Sequence, residues 1–137
     1  MTDCLVDNSV WARLATGDPA VTARLRRIER APADLFVTCP PQVLEFCHSA
    51  RTPEEHARYR EKIGLGFPLE RAPDESLVLD IQSALWGSGL VRSAGAVDIL
   101  IAGYAIVNDA TVLTADHDFD YIARVSDLQY EYVPPSW

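Results

Sequence analysis

The sequence lacks the features of a membrane protein, a secreted protein or a metal–thiolate protein. No apolar run approaches the length of a membrane span, and the first residues show neither the basic region nor the long apolar region of a secretory signal. The three cysteines, Cys4, Cys39 and Cys47, form no CxxC pair, which favours reduced and buried thiols. We therefore expect a cytoplasmic protein with no membrane segment.

Positive charge is scarce and unevenly distributed. The net charge is −8, and residues 98–137 contain seven acidic side chains against Arg124 alone, whereas residues 1–62 contain nine of each sign. An acidic chain does not attract a nucleic-acid backbone at long range, which argues against a simple nucleic-acid-binding module. A nucleic acid that binds together with metal, or a basic protein partner, remains compatible with this charge.

The length and the order of sequence patterns predict one α/β domain. A chain of 137 residues has the length of a single domain, which we expect to span residues 1–137. Short apolar runs typical of buried strands, such as Cys4–Asp7 and Leu35–Thr38, alternate with helical patterns. This alternation predicts a mostly parallel central sheet flanked by helices. Sites in such sheets form at the carboxyl ends of the strands.

Acidic residues lie where that edge should be. Asp7 closes the first predicted strand, and Asp116 follows another, Thr111–Thr114, by two residues. Glu45 and Asp98 lie in the apolar helical segments PQVLEFCHSA and AGAVDILIAGYAIV. The second segment predicts a buried helix, and an unpaired charge on its apolar face would be costly.

Each acid also has an ordinary structural explanation. Asp98 could complement a helix dipole, Asp7 could form a turn before a helix capped by Ser9, and Asp118 could cap a helix that starts at Phe119. Glu45 could be a partly exposed helix residue. These explanations account less well for acids at two strand ends and inside two apolar helices, with no basic partner nearby in sequence. Converging carboxylates need a cation, and an oxygen-only donor set suits Mg²⁺ or Mn²⁺, which would activate water and bind phosphate oxygens.

The segments around these acids resemble the PIN-domain ribonucleases, and in particular the VapC-type toxins of type II bacterial toxin–antitoxin pairs. They are LVDNSVWARL, PPQVLEFCHSAR, VDILIAGYAI and LTADHDFDYIA. The resemblance implies a PIN-like fold, Mg²⁺-dependent endoribonuclease activity, neutralisation by a cognate VapB-type antitoxin and a homodimer. One position departs from the family's usual motif, since Asn8 stands where Thr or Ser is usual.

The resemblance also implies roles for individual residues. Ser9 would support the first aspartate. Apart from the resemblance, Arg92 is a weak candidate for a contact with an RNA phosphate, because it lies shortly before Asp98. The catalytic residues would be Asp7, Glu45, Asp98 and Asp116, and the same four with Asp118 as an accessory would hold the metal. Whether one or two metal ions act stays open at this point.

Two other functions compete with this prediction. A PIN-fold interaction module that has lost catalysis would lack one of the acids, and none is missing. A metal-dependent phosphatase of the haloacid-dehalogenase type would need Asp-x-Asp after the first strand, whereas Asp7 is followed by Asn8 and Ser9. His48 and His117 are predicted to lie at the surface or to support the acids, because water activated by a metal needs no histidine.

Overall fold

The computed structural model describes residues 2–134 and residue 136, and its centre is one parallel sheet. The sheet has five strands in the order β3-β2-β1-β4-β5, and every adjacent pair is parallel. The strands are β1 Thr2–Val6, β2 Asp34–Thr38, β3 Phe67–Pro68, β4 Thr111–Thr114 and β5 Gln129–Tyr132. The prediction of an α/β fold with a mostly parallel sheet is therefore confirmed.

Within the described residues, seven helices connect the strands and cover both faces of the sheet. They are α1 Asn8–Ala15, α2 Pro19–Arg30, α3 Pro40–His48, α4 Pro53–Ile63, α5 Glu75–Gly87, α6 Ala96–Val107 and α7 Asp118–Arg124. Leu5 and Val112 face one buried cluster, while Cys4, Val6 and Leu113 face another. Central strands whose two faces are both covered have continuous apolar sequences, and β1 and β4 contain such apolar runs. In the part of the chain described, no helix has the length and apolar character needed to cross a membrane.

Two predicted helix starts were wrong by one or two residues. Asp7, not Ser9, caps α1, since the Asp7 side chain accepts the Ser9 backbone N–H. Helix α7 begins at Asp118 and not at Phe119, and a carboxylate oxygen of Asp116 accepts the Asp118 backbone N–H at 2.9 Å. Asp118, which was predicted to cap this helix, therefore lies inside it, and Asp116 accepts its backbone N–H group.

The prediction that α6 is buried holds for only part of its surface. Ile101 and Ala102 are fully buried, but Val97 and Leu100 are 41% and 36% exposed. The helix is so apolar that its sequence gives no amphipathic period from which the solvent-facing side could be identified.

The strand order places a natural site between β1 and β4. From β1 the chain adds β2 and β3 on one side and then β4 and β5 on the other. Ligands bind at such a reversal, outside the carboxyl ends of the strands. The Asp7 backbone N–H donates to the Leu113 carbonyl at 2.8 Å, which holds the end of β1 against β4 at this point.

Candidate metal centre

Three carboxylates meet at this edge of the sheet. Asp7, Glu45 and Asp98 each place an oxygen within 4.8 Å of the others. They come from the end of β1, from α3 and from the first turn of α6. Opposite ligands of an octahedral Mg²⁺ are about 4.2 Å apart, because each oxygen lies at about 2.1 Å from the ion. The three oxygens thus converge on one point, and binding one small divalent cation would draw them closer together.

Asp7 is buried and is held by neighbouring hydroxyl groups. It is 4% exposed, and its Oδ2 accepts the Ser9 hydroxyl at 2.6 Å and the Thr114 hydroxyl at 3.4 Å. Burial raises the pKa of the Asp7 carboxyl, the Ser9 hydrogen bond opposes that rise, and the charge of Asp116 adds to it. The side chain is thus fixed in position while its charge is only partly compensated.

Ser9 connects Asp7 to strand β4. While its hydroxyl donates to Asp7, its oxygen accepts the Ala115 backbone N–H at 2.9 Å. Thr114 forms a similar backbone contact, because its Oγ1 accepts the Asp116 backbone N–H at 3.2 Å. Ser9 was predicted to support Asp7, and its contacts agree with that role. Thr114 was missed, since a threonine in a β-branched strand carries no sequence signal of a polar contact.

Asp98 shows the largest perturbation among these acids. Burial, the charge of Asp7 and a hydrogen bond to Asp118 together raise the pKa of the Asp98 carboxyl to about 8. A hydrogen bond between two carboxyl groups requires a proton on one of them. At neutral pH and without a cation, Asp98 is therefore mostly protonated.

Glu45 completes the cluster. Burial raises the pKa of the Glu45 carboxyl, and the charges of Asp7 and Asp116 raise it further. Asp116 is thus close enough to act on two of the three clustered acids, although one of its oxygens also accepts the Asp118 N–H. The structure therefore brings all five predicted acids into one neighbourhood.

Gln42 links α3 to the ends of β1 and β2, and sequence reasoning did not find it. Its side chain is 1% exposed, its Nε2 donates to the Val6 carbonyl at 2.6 Å, and its Oε1 accepts the Cys39 N–H at 3.3 Å. The amide bridges the ends of β1 and β2, where the two strands separate. Glu45 follows it by three residues on the same helix, so this bridge fixes α3 relative to Asp7.

Replacing Gln42 with methionine should impair both stability and the site. The change keeps much of the volume but leaves a buried carbonyl and a buried N–H unpaired, which costs about 1–3 kcal/mol of unfolding free energy for each group. We expect cation affinity, measured on the folded fraction, to fall as well, because α3 can shift. Gln129→Met, at an exposed position of β5, is the matched control. Wild-type cation affinity in folded Gln42→Met would show that the bridge does not position Glu45.

The remaining predicted residues lie outside the cluster. Arg92 is exposed in the turn before α6, in a left-handed conformation with φ 59°. His48 is exposed, and His117 pairs with Asp120 at 2.8 Å while its ring stacks on Tyr132. The expectation that both histidines lie at the surface agrees with these positions.

The fold and the site together define the class of protein. It is an α/β domain with an acidic centre, whose donor atoms are all oxygens, at the point where the strand order reverses. The family model of the PIN domain matches residues 4–125. The chain therefore belongs to the PIN domain family, as its motifs predicted. All five acids lie within the matched range.

Relatives in the family point to one of its branches. The chain is 31% identical over 132 residues to the VapC ribonuclease Mb1587 of Mycobacterium bovis, covering 91% of this chain and 95% of that protein. It is 33% identical over 118 residues to ribonuclease VapC21 of Mycobacterium tuberculosis, covering 84% and 83%. The predicted resemblance to VapC-type proteins is confirmed.

Solved structures agree in fold. VapBC-1 from nontypeable Haemophilus influenzae superposes with a TM-score of 0.71 at 20% identity, covering 96% of this chain and 98% of that chain. VapBC-5 from Mycobacterium tuberculosis superposes with a TM-score of 0.63 at 17% identity, covering 98% and 99%. The same fold is thus present at sequence identities too low to carry more than the fold.

Proposed function

We propose that this protein is the toxin of a type II toxin–antitoxin pair and acts as a Mg²⁺-dependent endoribonuclease. The observation that carries the proposal is the approach of three carboxylates within 4.8 Å at the strand-order reversal. The VapC ribonucleases among its relatives supply the substrate class, RNA. In this proposal Asp7, Glu45, Asp98 and Asp116 are the catalytic acids.

The residues present fit a hard divalent cation. All donors are oxygens, and the pKa values of Asp7, Glu45 and Asp98 are raised by burial and by the charges of neighbouring acids. A positive ion relieves such repulsion, and oxygen donors suit Mg²⁺ or Mn²⁺. Asp7, Glu45 and Asp98 would hold it, with Asp116 and Asp118 as further ligands or water-mediated contacts. When bound, it supplies positive charge that polarises phosphate oxygens and lowers the pKa of water.

Hydrogen bonds within the chain hold the acids of this site in position. The hydroxyls of Ser9 and Thr114 orient Asp7, and the Gln42 amide orients α3, so little rearrangement is needed at the moment of reaction. The Asp98 carboxyl holds a proton toward Asp118 and must release it when a cation takes its place. Arg92, in the exposed turn before α6, is proposed to contact a substrate phosphate.

The negative charge of the acidic cluster also suggests how a protein partner would inhibit the toxin. A guanidinium binds two carboxylate oxygens at once, so an arginine from a VapB-type antitoxin would neutralise the cluster and block it. The VapBC structures that share this fold pair such a toxin with its antitoxin. We also propose that the protein forms a homodimer, that residues 1–137 form a single domain and that the protein is located in the cytoplasm.

A cleavage assay with and without the partner tests the proposal. The purified chain with Mg²⁺ should cut single-stranded RNA internally, and the same chain purified with the product of its adjacent gene should not. Mapping the new RNA ends identifies the bond that is cut. Absence of cleavage across a transcriptome-wide RNA pool would favour an inactive interaction module. Cleavage of small phosphate esters alone would favour a phosphatase.

A further inference from the structure

A short segment without regular secondary structure joins β4 to α7 and places two of the five acids. Asp116 and Asp118 lie on either side of His117, just before and at the start of the helix. Burial and the charge of Asp116 raise the pKa of the Asp7 carboxyl. Asp118 is hydrogen-bonded to Asp98. The conformation of the segment therefore determines how both acids approach the rest of the site.

The side chain of His117, in the middle of this segment, contacts both α7 and β5. Its Nδ1 lies 2.8 Å from Oδ2 of Asp120, and its ring stacks on Tyr132 with a centroid distance of 4.6 Å. Tyr132 is the register partner of Thr114, the last residue of β4. The Val133 backbone N–H donates to the Thr114 carbonyl at 2.8 Å. The histidine is thus packed against the strand that holds the end of β4.

Asp120 connects the histidine to a second tyrosine of β5. Burial acts to raise the pKa of the Asp120 carboxyl, but hydrogen bonds with His117 and Tyr130 lower it overall. A carboxylate only accepts hydrogen bonds, so Nδ1 of the histidine and the Tyr130 hydroxyl are the donors. Imidazole donates from Nδ1 in a neutral tautomer as well as in the protonated form, so the contact does not require a charged ring. We call these side chains the histidine cluster: His117, Asp120, Tyr130 and Tyr132.

The exposure of the histidine indicates a local role and not a contribution to overall stability. The His117 side chain is 62% exposed. An ion pair with so much exposure adds little to the free energy of unfolding, because water screens it and two side chains must be ordered. Its contacts with α7 and β5 do restrict the rotation of the ring. A side chain fixed in this way also fixes the backbone on either side, from which Asp116 and Asp118 extend.

We propose that the histidine cluster positions Asp116 and Asp118 for the cation that the acids bind. The proposal rests on the proposed function and adds positioning residues to it. In this role the cluster acts through the two acids and contacts neither the cation nor the RNA. Groups behind metal ligands orient those ligands, and losing one typically lowers metal affinity or activity by about 10–100-fold.

The test is calorimetric titration of metal-free His117→Ala with Mg²⁺, together with cleavage of a labelled single-stranded RNA. The dissociation constant for Mg²⁺ should rise on the order of tenfold, because both acids lose their fixed orientation. KM for RNA at saturating Mg²⁺ should stay within about twofold, because no contact with the substrate is removed. Thermal unfolding in EDTA should stay near that of the wild type. His56→Ala, at an exposed position of α4, is the matched control and should change none of these values.

A pair of variants at Tyr132 tests the stacked ring. Tyr132→Phe keeps the ring and should bind Mg²⁺ like the wild type, whereas Tyr132→Ala should weaken binding as His117→Ala does. The double variant His117→Ala/Tyr132→Ala should bind Mg²⁺ no more weakly than the weaker single variant, because both changes remove the same contact.

The other outcomes separate this role from its alternatives. Wild-type Mg²⁺ affinity in His117→Ala and Tyr132→Ala would overturn the positioning role while leaving the ribonuclease function intact. A higher KM with unchanged Mg²⁺ affinity would make His117 a substrate contact, and a lower kcat with unchanged Mg²⁺ affinity would make it a catalytic residue. Either result would overturn the proposal. A wild-type protein that binds Mg²⁺ but cuts no RNA would instead contradict the proposed function itself.

Discussion

Asp98→Asn should abolish RNA cleavage and yet raise the thermal stability of the metal-free protein. The asparagine keeps the shape of the side chain, and its amide can still donate to Asp118. It cannot ionise, so the cluster with Asp7 and Glu45 within 4.8 Å does not acquire the charge that Asp98 takes on as pH rises. Loss of an electrostatic group of this kind typically lowers kcat on the order of 10²–10³-fold.

The sign of the stability change follows from the pKa. In the folded protein the pKa of Asp98 is raised to about 8 from an ordinary value of 3.8. The stabilising contribution of this group is therefore fully present below about pH 4 and is lost as pH rises through about 8. Asparagine does not titrate, so the variant escapes that loss. In EDTA the melting temperature of the variant should exceed that of the wild type, by an amount that grows from pH 5 to pH 8.

A cation should reverse the order of stabilities. At a Mg²⁺ concentration 100 times its dissociation constant, the wild type should gain about 2.7 kcal/mol, while the variant gains much less. Asp127→Asn makes the same substitution at an exposed acid before β5 and should change neither activity nor the response to Mg²⁺. An Asp98→Asn protein that is destabilised in EDTA and responds to Mg²⁺ like the wild type would show that Asp98 is only a structural residue.

Chelation should stop cleavage completely, and only a small divalent ion should restore it. Mg²⁺ and Mn²⁺ are expected to be effective because the clustered oxygens converge to within 4.8 Å. Ca²⁺ should support less cleavage, since its oxygen ligands lie at about 2.3–2.6 Å and its geometry is looser than that of Mg²⁺. Initial rates at matched ionic strength, after EDTA treatment and dialysis, give the comparison. Undiminished cleavage after thorough chelation would rule out a metal mechanism.

The sequence was sufficient to predict the architecture and the acids that the structure brings together at one edge of the sheet. Period and composition indicated the alternation of strands and helices, and a parallel sheet brings the carboxyl ends of its strands to one edge. Asp7 and Asp116 could therefore be placed near each other without coordinates. Glu45 and Asp98 stood out because a charge within an apolar helix is unusual.

What the sequence could not predict depends on side-chain geometry between distant segments. Gln42 and Thr114 form hydrogen bonds with residues that are far away along the chain, and no local sequence pattern predicts such a partner. The caps of α1 and α7 were misassigned for a similar reason, because several acids and hydroxyls near each start could accept the same N–H groups.

Calorimetric titration of the metal-free protein with Mg²⁺ at pH 7 tests the central claim most directly. Repeating it in two buffers of different ionisation enthalpy reports the protons released on binding. The predicted result is a binding isotherm with release of close to one proton per ion, because Asp98, whose pKa is about 8, must give up its proton to become a ligand. Both the binding and the proton release should be lost in Asp98→Asn. No binding by the wild type, or equal binding without proton release by both proteins, would contradict the assignment of Asp7, Glu45 and Asp98 as a metal centre.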